Sequence, residues 1–363
     1  MLFRSEDVAS VVVSLAEDPD LGRLAVITAP ELVPGVEAEL ARRLPRGQVG
    51  TGDERLEATV SVLTPTQAKG LEFDVVVVLE PAAIETASAP AKLNLSLSVL
   101  ARRADGFHEI ESLMVPVSLA DSLVVRGIPG SDVRLALRFG GRLAGPAGAP
   151  LRRDVPSDHS NLVVRAARLL ADEAGVEGGL EIELVKRIPS GAGLGGGSSD
   201  AAALLRAAAR LWGLDWPAAR LAAIGARLGS DIPWFFAGGA AIASGRGERI
   251  LPVAGLPALH AVIASPATGL STAAVYGACV PDPSRAGASA RLAEALARHD
   301  LPAALGLLHN DLEPPARSLC GDVDRLLGAL ARAGGMRPML TGSGSACFAL
   351  ARSGAEEIGR AHV

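Results

Sequence analysis

From Leu180 to Val185 the chain alternates apolar and acidic side chains, the period of a strand with one buried face. Further on, Leu204, Leu205, Ala208, Leu211 and Trp212 recur at helical spacing. Between them Pro189–Ala203 reads PSGAGLGGGSSDAAA, so a glycine-rich loop joins a strand to a helix. The same periodicities predict strands over Ala91–Leu100, Val115–Arg126, His260–Ser265 and Ala346–Ala351. Helices are predicted over Asn161–Ala174, with Ser157, Asp158 and Ser160 as candidate caps, over Pro217–Leu228, and within Ala288–Arg298 and Val323–Ala333. The stretch Arg134–Ala149 contains a Gly/Pro-rich connection.

The loop suggests chemistry. Glycines and small neighbours let backbone close around an anion, and Ser198, Ser199 and Asp200 can cap the helix whose positive end faces the loop. A flexible surface turn has the same composition, and the loop alone does not decide between the two. A dinucleotide fingerprint would place a ribose-binding acid about 20 residues on, and a Walker loop needs Lys directly before Ser or Thr. Here only Asp215 lies near the first position, and no such Lys exists, which disfavours both.

At 363 residues and 49% hydrophobic content the chain can bury a substantial core in roughly two or three domains. No run approaches ~18 apolar residues and no export signal opens the chain, so no membrane partner and a cytoplasmic location are expected. Cys279, Cys320 and Cys347 lack paired metal spacing and read as free thiols. A net charge of -5 argues against a general nucleic-acid binder.

Pro189–Ser199 resembles the P-x-G-x-G-L-G-G-G-S-S motif of the GHMP kinases, which bind ATP without a Walker lysine. Ala89–Ser96 (APAKLNLS) and Arg102–Ile110 (RRADGFHEI) are similar to the opening signature of the GHMP branch acting on a cytidine diphosphate ester of 2-C-methyl-D-erythritol. Leu340–Ala349 (LTGSGSACFA) is similar to the third motif, with Leu228–Phe236 lying between. The resemblance spans 87 to 352 and implies a two-domain α+β fold, a ribosomal S5 domain 2-like lobe followed by a ferredoxin-like lobe, with the active site between them.

The resemblance also implies roles, each with a plainer competitor. Asp231 matches the catalytic aspartate, though an isolated Asp in such a turn also serves as a helix cap. Lys92 is placed beside it, or is an edge lysine with its ammonium in water. Pro189, Gly191, Ala192, Gly193, Leu194, Gly195, Gly196, Gly197, Ser198 and Ser199 match the ATP cradle, and either serine could hold Mg2+ or cap the helix. Asn161 and Lys186 match positions near the adenine, and Asn161 could equally begin its helix. For the small-molecule cytidine diphosphate substrate the matching positions are Asn94, Phe107, His108, Thr272, Tyr276, Gly342, Ser343 and Gly344. Phe107 stands where the family usually has Tyr; it and Tyr276 could sandwich cytosine or be core residues, and Gly342–Gly344 could be a plain hairpin turn.

The first residues differ. Val60–Pro81 contains AKGLEFD before an apolar run, similar to a motif near the carboxyl end of UvrD-like helicases, yet the Walker lysine such an enzyme needs is absent. Leu2–Ser5 and Glu357–Val363 both back-translate to common sequencing-adapter DNA, which makes a chimeric reading frame with an incomplete last domain an expectation. The expected division is 1–84, helicase-like; 85–252, ATP-binding; 253–356, carboxyl-terminal kinase domain; and 357–363, an adapter-derived tail. Competing functions are a GHMP kinase for another small alcohol such as homoserine or mevalonate, a nucleic-acid-associated module in residues 6–84, and an inactive chimera.

Overall fold

In a computed structural model of the chain, residues 84–152 and 155–352 are described, with 2–3, 12–16, 23–28, 33–46, 48–50, 59–64, 67 and 75–79 of the preceding region. The contacts divide the chain into two units, Met1–Glu85 and Thr86–Val363. In the first, β1 (Leu2–Phe3), β2 (Leu24–Ile27), β3 (Val49–Gly50), β4 (Val60–Leu63) and β5 (Val75–Leu79) form a parallel sheet in the order β1-β5-β2-β4-β3. All four residues of β4 are buried, as in a sheet covered on both faces, and α1 (Val33–Arg43) packs Val33 and Leu40 into the same core. The AKGLEFD residues 68–74 and the tail 357–363 lie outside the described residues.

The second unit contains β6 (Ile84–Asn94) from its Thr86 onward, β7 (Ser96–Arg102), β8 (His108–Ile128), β9 (Val133–Phe139), β10 (Gly179–Lys186), β11 (Ala241–Gly245) and β12 (Arg249–Pro252). The 21-residue β8 is the spine of its sheet. It pairs antiparallel with β7 and β11 through its first third and with β10 from Ser122 to Ile128. The strand predicted over Ala91–Leu100 is split, because the chain bends at Leu95 between β6 and β7. The connection predicted over Arg134–Ala149 begins instead as β9, whose alternating half-buried positions 133, 135, 137 and 139 pair in parallel with β10. Only Gly141–Leu143 and Pro146–Arg152 form the irregular 3-10 turns that their Gly and Pro content suggests.

Helices α2 (Leu162–Ala174), α3 (Gly196–Leu211) and α4 (Ala218–Ala226) pack against this sheet through one cluster that includes Leu170, Leu180, Ile182, Leu184 and the alanines of α3. Alanine lets α3 lie close to the strands, which brings its first turn under the loop. The cap of α2 is Asn161 rather than its serine neighbours: its Oδ1 accepts from the Val163 N–H. After β13 (His260–Ala264) come α5 (Thr272–Gly277), α6 (Ala288–Ala297), α7 (Leu301–Leu307), β14 (His309–Asn310), α8 (Glu313–Leu319) and α9 (Gly321–Arg332). A second sheet has β16 (Cys347–Ala351) between β13 and β15 (Met336–Leu340), all antiparallel, and α9 covers it with Val323, Leu327 and Leu330. Among the described residues no helix is long and apolar enough to cross a membrane.

Candidate active site

The loop after β10 enters α3 through Gly195, which takes the left-handed conformation at φ 70 and supplies no side-chain cap. Ser198, Ser199 and Asp200 are therefore inside the first turns, not caps. Their place leaves the first N–H groups of α3 facing the loop, the arrangement that attracts an anion. Ser198 is half-buried, whereas the Ser199 hydroxyl is enclosed and has no partner among the described residues.

Two distant segments, the Lys92 strand and the third motif, meet at this loop. The Lys92 N–H donates to the Leu194 carbonyl at 3.0 Å, and the Ala346 N–H donates to the Ala192 carbonyl at 3.0 Å. Gly193 lies so close to the third motif that a Cβ there would stand 2.2 Å from the Thr341 carbonyl oxygen. A Cβ on Gly342 would lie 3.0 Å from Lys92 Nζ. Gly342–Gly344 is thus packed against the loop and the lysine, beyond what a plain hairpin turn requires.

Lys92 is 4% exposed, so it is no edge lysine. Its Nζ donates to Asn94 Oδ1 at 2.5 Å. Burial pulls the Lys92 pKa below its usual value, and the opposite charge of Asp231 partly offsets that pull. Asp231 precedes the 3-10 turn Ile232–Phe236 and makes no capping hydrogen bond, so the cap alternative fails. The β11–β12 turn approaches it, since a Cβ on Gly247 would be 3.7 Å from Asp231 Oδ1.

Asn94, expected at the substrate, is buried and hydrogen-bonded through both its side-chain oxygen and nitrogen. Its Oδ1 also accepts from Thr341 Oγ1 at 3.2 Å, and its Nδ2 donates to Ser112 Oγ at 2.8 Å. It orients Lys92 and ties the first motif to the third. Lys186, expected near the adenine, is likewise turned inward, donating to Asp121 and, at 2.6 Å, to Asp200. Burial of Lys186 opposes its charge, but the two carboxylates prevail and raise its pKa. Burial pushes Asp200 up to about 7 against the pull of Lys186. The Asn161 amide is spent on its own cap and, through Nδ2, on the Pro156 carbonyl at 2.7 Å.

Among the positions expected to meet the substrate, the His108 and Tyr276 rings lie 5.2 Å apart, tilted by 33°. Phe107 is 50% exposed, with the Arg246 guanidinium 4.9 Å above its ring. The ring against Tyr276 is therefore His108, a pairing the expected sandwich of Phe107 and Tyr276 did not include, and Phe107 is not a core residue. Burial, then the Asp231 charge, raises the Tyr276 pKa; burial, then the Arg102 charge, lowers that of His108. Thr272 Oγ1 and Ser343 Oγ hydrogen-bond at 2.9 Å, linking α5 to the third motif.

Asn310, which the sequence reading missed, donates through Nδ2 to the carbonyls of Leu340 at 2.9 Å and Gly342 at 2.8 Å. Its signal, a polar residue between apolar segments, is too common to single out. Ser112, Thr341 and Asp121 were missed for the same reason. Among the described residues no cluster of His, Cys, Asp and Glu is placed to hold a metal ion.

The family description "GHMP kinases N terminal domain" matches residues 161–239, and "GHMP kinases C terminal" matches residues 292–362. The chain is 40% identical over 262 residues to 4-diphosphocytidyl-2-C-methyl-D-erythritol kinase of Shouchella clausii (strain KSM-K16), covering 72% of this chain and 84% of the relative. It is 42% identical over 288 residues to the kinase of that name from Rhodopirellula baltica (strain DSM 10527 / NCIMB 13988 / SH1), covering 73% and 86%. A crystal structure of 4-(cytidine 5'-diphospho)-2C-methyl-D-erythritol kinase superposes with a TM-score of 0.61 at 38% identity, over 77% of this chain and 94% of its own. Homoserine kinase from Cytophaga hutchinsonii ATCC 33406 reaches 0.59 at 22% identity, over 77% and 88%, a likeness of fold alone.

Proposed function

The chain belongs to the GHMP kinases, in the family of 4-diphosphocytidyl-2-C-methyl-D-erythritol kinases, and from that premise we propose that it phosphorylates the 2-hydroxyl of this cytidine substrate with ATP. The reaction is a step of isoprenoid precursor synthesis by the methylerythritol phosphate route, and we place it in the cytoplasm. The observation that carries the reading is the meeting of Lys92, the 189–199 loop and the 341–345 loop, with Asp231 in electrostatic reach of the lysine.

In this reading Asp231 orients the substrate hydroxyl and takes its proton as the new oxygen–phosphorus bond forms and the bond to the ADP oxygen breaks. Lys92, aimed by Asn94, keeps that carboxylate ionised and stabilises charge on the transferring group. Lowered basicity is tolerable, because a loose phosphoryl-transfer transition state depends more on positioning and charge than on early proton abstraction. The loop N–H groups receive the ATP phosphates; the Thr341 carbonyl leaves no room for a side chain at Gly193, and a Cβ at Gly195 would crowd the Phe235 and Lys92 side chains at 3.0 and 3.1 Å. The Ser199 hydroxyl, unpartnered among the described residues, and the half-buried Ser198 would suit as oxygen ligands for Mg2+, which when bound with ATP would neutralise phosphate charge. His108, Tyr276 and the exposed Phe107 supply ring faces for cytosine, with Thr272, Ser343 and the flanking glycines bordering the substrate.

The parallel sheet of the first unit suits an origin in a UvrD-like helicase, but without a Walker lysine it has no strand-pumping role. ADP release, measured with the cytidine substrate, homoserine and mevalonate in turn, tests the reading. Turnover with the cytidine substrate alone is expected. Release driven by either other alcohol would move the chain to a different GHMP activity, and no release with any would leave it an inactive relative.

A further inference from the structure

Beneath the glycine-rich loop lies a charge cluster that the chemistry above does not use. Lys186 ends β10 with its side chain 4% exposed, between Asp121 on β8 and Asp200 on α3. Asp121 also accepts from the backbone N–H groups of Arg187 and Ile188, the latter at 2.9 Å, where the chain enters the loop. Asp200 lies where the chain leaves it. The Lys186 ammonium thus joins both ends of the loop to one strand. Gly196 rests directly on the cluster, for a Cβ there would be 3.2 Å from Lys186 Nζ.

Stability alone gives little reason for this arrangement. Two carboxylates and one ammonium are held away from water, where well-packed apolar side chains would serve as well or better. Asp200 Oδ1 is moreover enclosed and unpartnered among the described residues. What charged groups provide and apolar ones do not is directional bonding, here aimed at the entry and exit of an anion-binding turn.

We propose that Asp121, Lys186 and Asp200 are positioning residues, which fix the two ends of the 189–195 loop at the spacing that receives the ATP phosphates. The inference rests on the kinase reading. It gives Lys186 a part in nucleotide binding that acts through the loop and not by contact with the base. Loss of one tie leaves the loop free to widen, and small displacements of binding groups carry large penalties.

The test is calorimetric titration of Mg–ATP into the full chain without the alcohol substrate, at a temperature where every variant is shown to be folded. Asp200→Ala is expected to weaken ATP binding about tenfold, and Asp200→Asn, which keeps an oxygen for Lys186 Nζ, to restore most of it. Lys186→Met should weaken binding to the same degree. In steady-state assays KM for ATP should rise while KM for the alcohol stays within about twofold. A lowered Tm for Asp200→Ala with unchanged ATP affinity would make the cluster purely structural. Weaker binding in Lys186→Met but not in Asp200→Ala would mean a direct contact with nucleotide, and would also overturn the proposal. Wild-type chain that does not bind ATP at all would remove the kinase reading itself.

Discussion

At the residue scale, function turns on side chains whose surroundings alter their chemistry. In the proposed mechanism Lys92 must be charged to support Asp231, and burial holds its pKa below the usual lysine value. A depressed lysine loses its proton at lower pH, so kcat should fall on an alkaline limb that begins below pH 10.5. Lys92→Arg, whose guanidinium does not titrate in this range, should abolish that limb even if turnover is reduced. A pH–rate profile unchanged in Lys92→Arg would dissociate the lysine from the limb. Removing the ring in Tyr276→Ala should cost about 1–3 kcal/mol of cytidine-substrate binding and leave ATP affinity unaltered. Equal substrate affinities in wild type and variant would exclude the ring as a platform. Lys92 and Asp231 could be singled out as candidates because their motifs lie on short local stretches. The inward turn of Asn94 and Lys186 was not legible, because their partners Thr341, Ser112 and Asp121 come from separate segments that no local pattern connects.

At the element scale, the loop and its helix act as one unit. Gly193 has φ +77 and faces the Thr341 carbonyl, so Gly193→Ala introduces both backbone strain and a clash. Gly197 lies in α3 at ordinary φ, and a Cβ there would meet only Leu162 Cδ1, at 3.4 Å. Gly193→Ala is therefore expected to lower Tm and abolish ATP binding, whereas Gly197→Ala should match wild type or gain up to ~1 kcal/mol of helix stability. Thermal melts with and without ATP check both, and equal behaviour of the two variants would reduce the loop to an ordinary turn. The strand, loop and helix from Leu180 to Leu211 were readable because their apolar periods are long and uninterrupted. By contrast β9 hid within a segment whose glycines and prolines begin only at Gly140, and α5, α7 and α8 are too short for a period to emerge.

At the scale of the whole molecule, the residues that make up the site all belong to the unit Thr86–Val363. Removing residues 1–85 should leave kcat/KM for the cytidine substrate within about twofold. A larger loss on the same assay would give the parallel sheet a part in the reaction. The change in motif content near residue 85 lies close to the boundary between the two units, while the sheet order of the first unit could not be read from the sequence, since short apolar runs do not reveal their neighbours. In the proposed mechanism Asp231 orients the 2-hydroxyl of the cytidine substrate and takes its proton. The most direct test of that role is turnover of that substrate by wild type and Asp231→Asn, with ATP binding measured on both. A roughly 10²–10⁴-fold fall in kcat is expected, with ATP affinity roughly unchanged. Near-normal turnover by Asp231→Asn would contradict that role.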